Sequence, residues 1–201
     1  MASEHYFTKN PTSKEEIRII EDYLRGSKFV FKTSSGMFSP QKIDLGTRLL
    51  VEDSLIPESG KIFDLGCGYG VVGIVVKKIF PAAKVFMSDI NERAVKIAKE
   101  NALKNKVEVE VKAGEFFGAF AEEKFDAILL NPPQTAGKDV CFKMIEESKE
   151  HLNEKGTLQL VARHRKGGET LSKKMQDVFE NVKTISIKSG YRIYLSENKK
   201  V

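Results

Sequence analysis

Residues 63–73 read FDLGCGYGVVG, which puts four glycines and one carboxylate into eleven residues directly after an apolar run. KIFDL (61–65) ahead of the glycines reads as a β-strand, and the valines behind them follow helical spacing, so the glycines occupy a strand-to-helix turn. A turn of that kind lets the backbone approach a ligand closely and points unpaired helical N–H groups at it. Gly68, Gly70 and Gly73 match the G-x-G-x-x-G of dinucleotide sites, yet Asp64 stands just ahead of Gly66, where it would repel a diphosphate. The turn alone therefore admits two kinds of ligand, and the rest of the chain has to choose.

The chain has 201 residues, enough for one domain that buries about 70% of its unfolded surface. We expect an N-terminal extension (1–56) and a core (57–201) that together form one domain, because a second full domain would be cramped. At 41% hydrophobic and 30% charged residues, the composition is that of an ordinary globular protein. The uncharged run VVGIVV (71–76) is far too short to span a bilayer. MASEHYFTKN at the start has neither a secretory nor a transit pattern, which makes the cytoplasm the expected location. Cys67 and Cys141 form no C-x-x-C, and His5, His151 and His164 lack metal-ligand spacing, so no metal is expected. A net charge of +5 favours anionic partners, nucleic acid among them, without requiring one.

From residue 61 onward short β-type runs alternate with helical patterns, which is the mark of parallel strands joined by crossover helices. KIFDL, KVFMSD (84–89), VEVEVKA (107–113), FDAILL (125–130) and TLQLVA (157–162) read as five strands. Helical spacing links Val72, Val75, Val76 and Ile79, then Ala94, Ala98 and Ala102, then Cys141, Ile145 and Leu152, and last Leu171, Met175, Val178 and Phe179. VKTISIKSGYRIYLSE (182–197) holds two more β-rich runs around Lys188, Ser189 and Gly190, as an antiparallel hairpin would. The fold class is thus α/β: a doubly wound, Rossmann-like sheet of seven strands with an antiparallel C-terminal hairpin strand and a small N-terminal extension. In that extension SKEEIRIIEDYL (13–24) opens with a capping box, Ser13 to Glu16, while Ile17 and Ile19 alternate as in a strand, and both readings stand. FVFKT (29–33) reads as a strand and IDLGTRLLVEDSL (43–55) as a helix ending before Pro57.

In an open parallel sheet, ligands bind beyond the carboxyl ends of the strands where the strand order reverses. The candidate residues follow the strands accordingly: the glycine turn with Cys67 after the first, Asp89 and Ile90 after the second, Glu115 after the third, and Asn131, Pro132 and Pro133 after the fourth. Asp89, nineteen residues beyond Gly70, suits ribose hydroxyls, although Asp89 and Glu92 also spell a helix-capping D-x-x-E. Glu115 suits an adenine amino group, with a solvated loop as its plain alternative. Two prolines in succession fix the backbone after Asn131. The Asn131 side-chain oxygen and the Pro132 carbonyl would then be rigid acceptors for the two hydrogens of an NH2 group, orienting its lone pair for a direct displacement.

Asp64 to Gly70, Asp89, Glu115 and Asn131 to Pro133 together resemble the cofactor loop, ribose acid, adenine-side acid and N-P-P of class I S-adenosylmethionine-dependent methyltransferases. Within that family GMFSPQKIDLGTRLL (36–50) is similar to the G-V-F-S and D-x-G-T-R-L-L stretch of the ribosomal small-subunit guanine-N2 methyltransferases and their stand-alone relatives. The likeness spans residues 28–197 and implies an upstream hairpin and helix beside the cofactor, with residues 16–33 as strands. It also implies S-adenosylmethionine as methyl donor, bound by Asp64, Gly66, Cys67, Gly68, Gly70, Asp89, Ile90, Glu115 and Asn131. The acceptor it implies is an exocyclic amine of RNA, guanine N2 in rRNA or tRNA, with Asn131, Pro132 and Pro133 as the catalytic segment.

Two departures bear on the substrate. The position after N-P-P, usually aromatic or apolar, is Gln134, so Phe38 becomes the candidate wall for a stacked base. The family's double-domain members also carry a second domain that guides RNA. Arg163, Arg165 and Lys166, after the fifth strand, are candidates for phosphate contact. A protein glutamine amide or a DNA adenine amine would suit the same acceptor pair, and a catalytically silent fold acting as a binding protein is the reading from a different class. A nicotinamide-dependent oxidoreductase fits the glycines alone and leaves Asp64 and N-P-P without a role.

Overall fold

The computed structural model describes residues 16–133 and 136–199. The chain opens with a hairpin, β1 (Ile17–Leu24) and β2 (Ser27–Ser34), followed by helix α1 (Leu45–Asp53). The core then alternates β3 (Gly60–Leu65), α2 (Val71–Ile79), β4 (Ala83–Asp89), α3 (Glu92–Lys104), β5 (Glu110–Ala113), β6 (Phe125–Leu130), α4 (Lys138–Glu150) and β7 (Leu152–Arg163). It ends with α5 (Glu169–Phe179), β8 (Lys183–Lys188) and β9 (Tyr191–Glu197). No helix among the described residues is long and apolar enough to cross a membrane.

Seven strands form one sheet in the order β5-β4-β3-β6-β7-β9-β8, the first five parallel and β9 antiparallel to both of its neighbours. This is the expected doubly wound architecture with its C-terminal hairpin. From β3 the chain winds outward through β4 to β5, then returns to the other side of β3 as β6. The carboxyl ends of β3 and β6 therefore bound the crevice where strand order reverses.

Strand periodicity sorts the core onto two faces. Ile62, Val85, Met87, Ala127 and Leu129 pack with α1, α2, α3 and the hairpin. Phe63, Phe86, Ile128 and Leu130 pack with Met144 and Ile145 of α4 and Met175 and Phe179 of α5. On that second face Phe63 stacks on Phe125 at 4.6 Å, and Phe86 meets Phe120 edge-on at 5.3 Å.

The structure decides the ambiguous start in favour of strands. Glu16 donates its N–H to Ser35 Oγ at 3.0 Å and accepts from the Ser35 N–H, so it opens the hairpin and not a helix; Ser13 lies outside the described residues. Arg25 and Gly26 have φ of 45° and 74°, which makes the two-residue connection a primed turn that matches strand twist. Ser189 and Gly190, φ 49° and 80°, repeat the device between β8 and β9.

Three boundaries differ from expectation. The third strand pairs only from Glu110, because Lys106 in the left-handed region (φ 58°) closes the preceding turn and the N–H of Val107 returns to Ala102 O. Leu152, expected on a helix, pairs with Phe125 as the first residue of β7, since α4 stops at Glu150. Helix α1 begins at Leu45, with Asp44 outside it as the cap.

The free edge of β2 is closed by side chains. Asn101 on α3 accepts from the Lys32 N–H at 2.7 Å and donates to Lys32 O at 2.9 Å, and Asn105 holds Val30 in the same way at 3.1 and 2.8 Å. Two amides one helical turn apart thus act as a strand against alternate residues of β2. Asn101 also donates to Tyr69 O at 2.8 Å, joining hairpin to glycine turn. Asn101→Leu would leave three backbone groups without their partner, each costing about 1–3 kcal/mol where buried. The expected loss is about 3 kcal/mol or more, read as a lower urea midpoint at unchanged m-value; a loss under about 1 kcal/mol would mean that water replaces the amide.

Candidate active site

The crevice between the carboxyl ends of β3, β4 and β6 holds a cavity of ≈ 230 Å³. Asp64 and the turn residues Gly66, Cys67 and Gly68 line it, as do Asp89 and Ile90 after β4, Glu115 after β5, and Asn131, Pro132 and Pro133 after β6. Phe38, 40% exposed, stands on its wall. Gln134 lies outside the described residues.

The turn is shaped by its own amides. Gly66 and Cys67 both donate N–H to Ser88 O at 2.9 Å, which ties the end of β3 to the end of β4. Gly66, Gly68 and Gly70 all take positive φ (74°, 54° and 93°), a region that side chains rarely adopt. A Cβ on Gly68 would meet nothing within 4 Å. Gly70 differs from the expectation, since it lies off the cavity wall: as N-cap of α2 it faces inward, and a Cβ there would come within 2.8 Å of Met87 Cε. A Cβ on Gly73 would likewise come within 2.6 Å of Met87 Sδ, so these two glycines let α2 approach β4.

Two carboxylates flank the turn. Asp64 is 4% exposed, and its Oδ2 accepts from the Gly73 N–H at 2.9 Å. Burial pushes its carboxyl up to about 7; the Gly73 N–H opposes the shift and the charge of Asp89 adds to it. Asp89 accepts from the Gly68 N–H at 2.8 Å through Oδ2 and from the Asn91 N–H at 2.9 Å through Oδ1. Burial raises its carboxyl too, and those two N–H groups pull it back. The alternative role of Asp89 as a helix cap is wrong. Asn91 caps α3, its Oδ1 accepting from Arg93 and Ala94 at 3.0 and 3.2 Å, and Asp89 stays turned toward the glycines. The Cys67 thiol is buried and shifted strongly upward by burial and by the two carboxylates, so it is no nucleophile here.

On the opposite wall Asn131 donates from Nδ2 to Thr47 Oγ1 at 3.0 Å, and Thr47 donates its hydroxyl hydrogen to Asp44. Asn131 Oδ1 makes no hydrogen bond among the described residues. Thr47 lines the cavity, as do Met37, Ser88, Asn91 and Phe116, none of which was singled out from the sequence. D-L-G-T (44–47) carried a signal for Thr47 and G-M-F-S (36–39) one for Met37; Ser88, Asn91 and Phe116 hold positions that no motif marks.

Arg163, Arg165 and Lys166 do not line the cavity. Arg163 ends β7, next to β6 in the sheet, with its guanidinium 5.0 Å from the Tyr191 ring centroid, and Arg165 and Lys166 belong to the irregular turn His164–Gly168 before α5.

A glycine turn after β3, acids at the ends of β3 and β4 and N-P-P after β6, at the switch point of a sheet with one reversed strand, define an α/β methyltransferase fold. Residues 28–195 match the model of the methyltransferase small domain, and the chain belongs to that family, whose methyl donor is S-adenosylmethionine. It is 36% identical over 202 residues to the uncharacterized protein YbxB of Bacillus subtilis (strain 168), covering 99% of this chain and 100% of that one. It is 39% identical over 131 residues to ribosomal RNA small subunit methyltransferase C of Haemophilus influenzae (strain PittGG), covering 63% of this chain and 39% of the relative. Among solved structures it resembles the T. thermophilus 16S rRNA N2 G1207 methyltransferase RsmC, in complex with AdoMet and guanosine, with a TM-score of 0.79 at 20% identity over 94% of this chain and 52% of that one. The chain thus spans about half or less of these two ribosomal RNA methyltransferases.

The raised carboxyl of Asp64 has a measurable sign. Folded Asp64 keeps its proton to about pH 7, whereas its ordinary value is 3.8, so between those values the folded state binds more protons and its stability falls as pH rises. Asp64→Asn removes this term. The stability of the variant relative to the parent should therefore improve by about 4 kcal/mol from pH 3.5 to pH 8 in urea unfolding, and a flat difference would return Asp64 to the ordinary carboxylate range.

Proposed function

We propose that this chain transfers the methyl group of S-adenosylmethionine to an exocyclic amino group of RNA, guanine N2 in rRNA or tRNA. One observation carries the reading: Asn131 and Pro132 line the same cavity as Asp64 and Asp89, and the Asn131 oxygen is left without a partner among the described residues. The lining fits the cofactor. Asp64, Gly66, Cys67 and Gly68 suit its amino-acid end, the space beside Gly68 admits it, Asp89 suits ribose hydroxyls, and Glu115 with Ile90 suits adenine. When bound, it supplies an electrophilic methyl on a sulfonium sulfur that leaves as a neutral thioether.

The residues of this chain do the orienting. Asn131 Oδ1 and the Pro132 carbonyl accept the two N–H groups of the target amine and aim its lone pair at the methyl carbon, while Pro133 stiffens the segment. The new N–C bond forms as the S–C bond breaks, and the nitrogen then gives one proton to solvent, so no side chain has to act as an early base. Phe38 on the cavity wall offers a face for a planar base, and Gln134, next after N-P-P in sequence, is the candidate for its edge. The extension and the core share one apolar cluster, which supports a single working domain, and the cytoplasm is the compartment that suits an RNA substrate.

Labelled methyl transfer to small-subunit rRNA, tRNA, DNA and protein fractions tests the substrate. Label in RNA, recovered as N2-methylguanosine, is the expected result, and label confined to protein glutamine or DNA adenine would overturn it. Asn131→Ala should slow turnover by about two orders of magnitude, as when one preorganised polar group is lost at a reacting centre, with little change in cofactor affinity. Normal turnover by that variant would reduce N-P-P to a rigid loop. Replacing Arg163, Arg165 and Lys166 together should lower the slope of log RNA affinity against log salt by up to about three, and an unchanged slope would assign them to bulk solvent.

A further inference from the structure

We propose that Thr47 is a positioning residue: its hydroxyl, polarised by Asp44, fixes which end of the Asn131 amide faces the cavity. The inference rests on the reading of Asn131 as an acceptor for the target amine and adds what makes it one.

An asparagine amide presents an acceptor at one end and two donors at the other, and the two ends have nearly the same shape. Something must therefore select the orientation. Asp44 caps α1, accepting from the Gly46 N–H at 2.8 Å and the Thr47 N–H at 3.2 Å. A carboxylate is acceptor-only when ionised, so the bond between Asp44 Oδ2 and Thr47 Oγ1 uses the single hydroxyl hydrogen of Thr47. Oγ1 then has only lone pairs for Asn131, 3.0 Å away, and Nδ2 must be the atom that turns to it. The flipped amide would bring two acceptors together at that distance and aim an NH2 group at the cavity, where the target amine needs an oxygen. Asp44 thus acts on Asn131 through Thr47 without touching substrate.

Helix α1 packs on the sheet near Val161 and Ile193, with Ser186 of β8 donating to Asp53, and side chains of the hairpin hold its other side. Arg48 pairs with Asp22 of β1, and Arg25 donates from Nε to Val51 O at 2.6 Å and from Nη2 to Ser54 O at 2.7 Å. Sheet and hairpin together set the position of the Thr47 hydroxyl, 84 residues of chain from Asn131.

Thr47→Val keeps the shape and removes the hydroxyl; Thr47→Ser keeps the hydroxyl. Turnover on RNA should fall about 10- to 100-fold in Thr47→Val, in kcat more than in KM, with cofactor affinity within about twofold of the parent, and Thr47→Ser should recover most of it. Thr47→Val combined with Asn131→Ala should be no slower than Asn131→Ala alone, since the hydroxyl acts only through the amide. In cofactor-free protein, the side-chain NH2 resonances of Asn131 should shift and lose protection in Thr47→Val and stay in Thr47→Ser. Parent-like kcat in Thr47→Val, multiplied losses in the double variant, or unmoved Asn131 resonances would each overturn the proposal. If Thr47→Val does not fold, Thr47→Ala takes its place with the same expectations. Parent-like turnover in Asn131→Ala would instead remove the amine-clamp reading, and the resonances would still decide whether Thr47 orients the amide.

Discussion

The turn after β3 and the first turn of α2 close because their N–H groups find acceptors at the ends of β3 and β4. Gly66 and Cys67 donate to Ser88 O, Gly68 to Asp89 and Gly73 to Asp64. Where Cys67 and Gly73 are buried an unpaired backbone amide is costly, so the shape of the turn and the positions of both carboxylates are one constraint. Asp64 is held with its carboxyl raised to about 7 beside a second acid, a cost that points to a ligand carrying a positive charge or several hydroxyls.

From that turn the constraint spreads through close contacts. Gly70 and Gly73 leave room for Met87 against α2, which seats the helix on β4, and Asn91 starts α3 two residues after Asp89. Asn101 then joins α3 to both Tyr69 O and β2. The hairpin carries the connection on to α1 through Asp22 and Arg25, and α1 presents Thr47 to Asn131. The glycine turn and the N-P-P segment, on opposite walls of one cavity, are thus connected by the sheet and also around it.

What could be read from the sequence followed from local physics. Strand runs, the glycine turn, the hairpin at Ser189 and Gly190 and the acids after β4 and β5 are each written within a few residues. Misreadings arose where two local patterns competed. Leu152 continued the spacing of Cys141 and Ile145, but pairing with Phe125 drew it into β7. D-x-x-E at 89–92 looked like a capping box, but Asn91 lies two positions closer to the helix start and took the role, leaving Asp89 to the cavity. The Ile17 and Ile19 alternation became a hairpin because Asn101 and Asn105, some seventy residues on, supply the missing edge for β2. Nothing near residue 30 announces that partner.

The two walls of the cavity differ in the same way. The wall formed by Asp64, the glycines and Asp89 is built from adjacent strands whose contacts are nearly all short in sequence or part of the parallel ladder, so it is written in one legible motif. The N-P-P wall depends on α1, which packs on the sheet and is tied by an ion pair to a hairpin that itself joins α3 through side-chain amides. A change in the hairpin or α1 can therefore reorient Asn131 while every amide of the glycine turn keeps its acceptor. The two walls are thus held by different kinds of contact, one by a backbone ladder within a few residues of the turn and the other by side chains whose partners are distant in sequence.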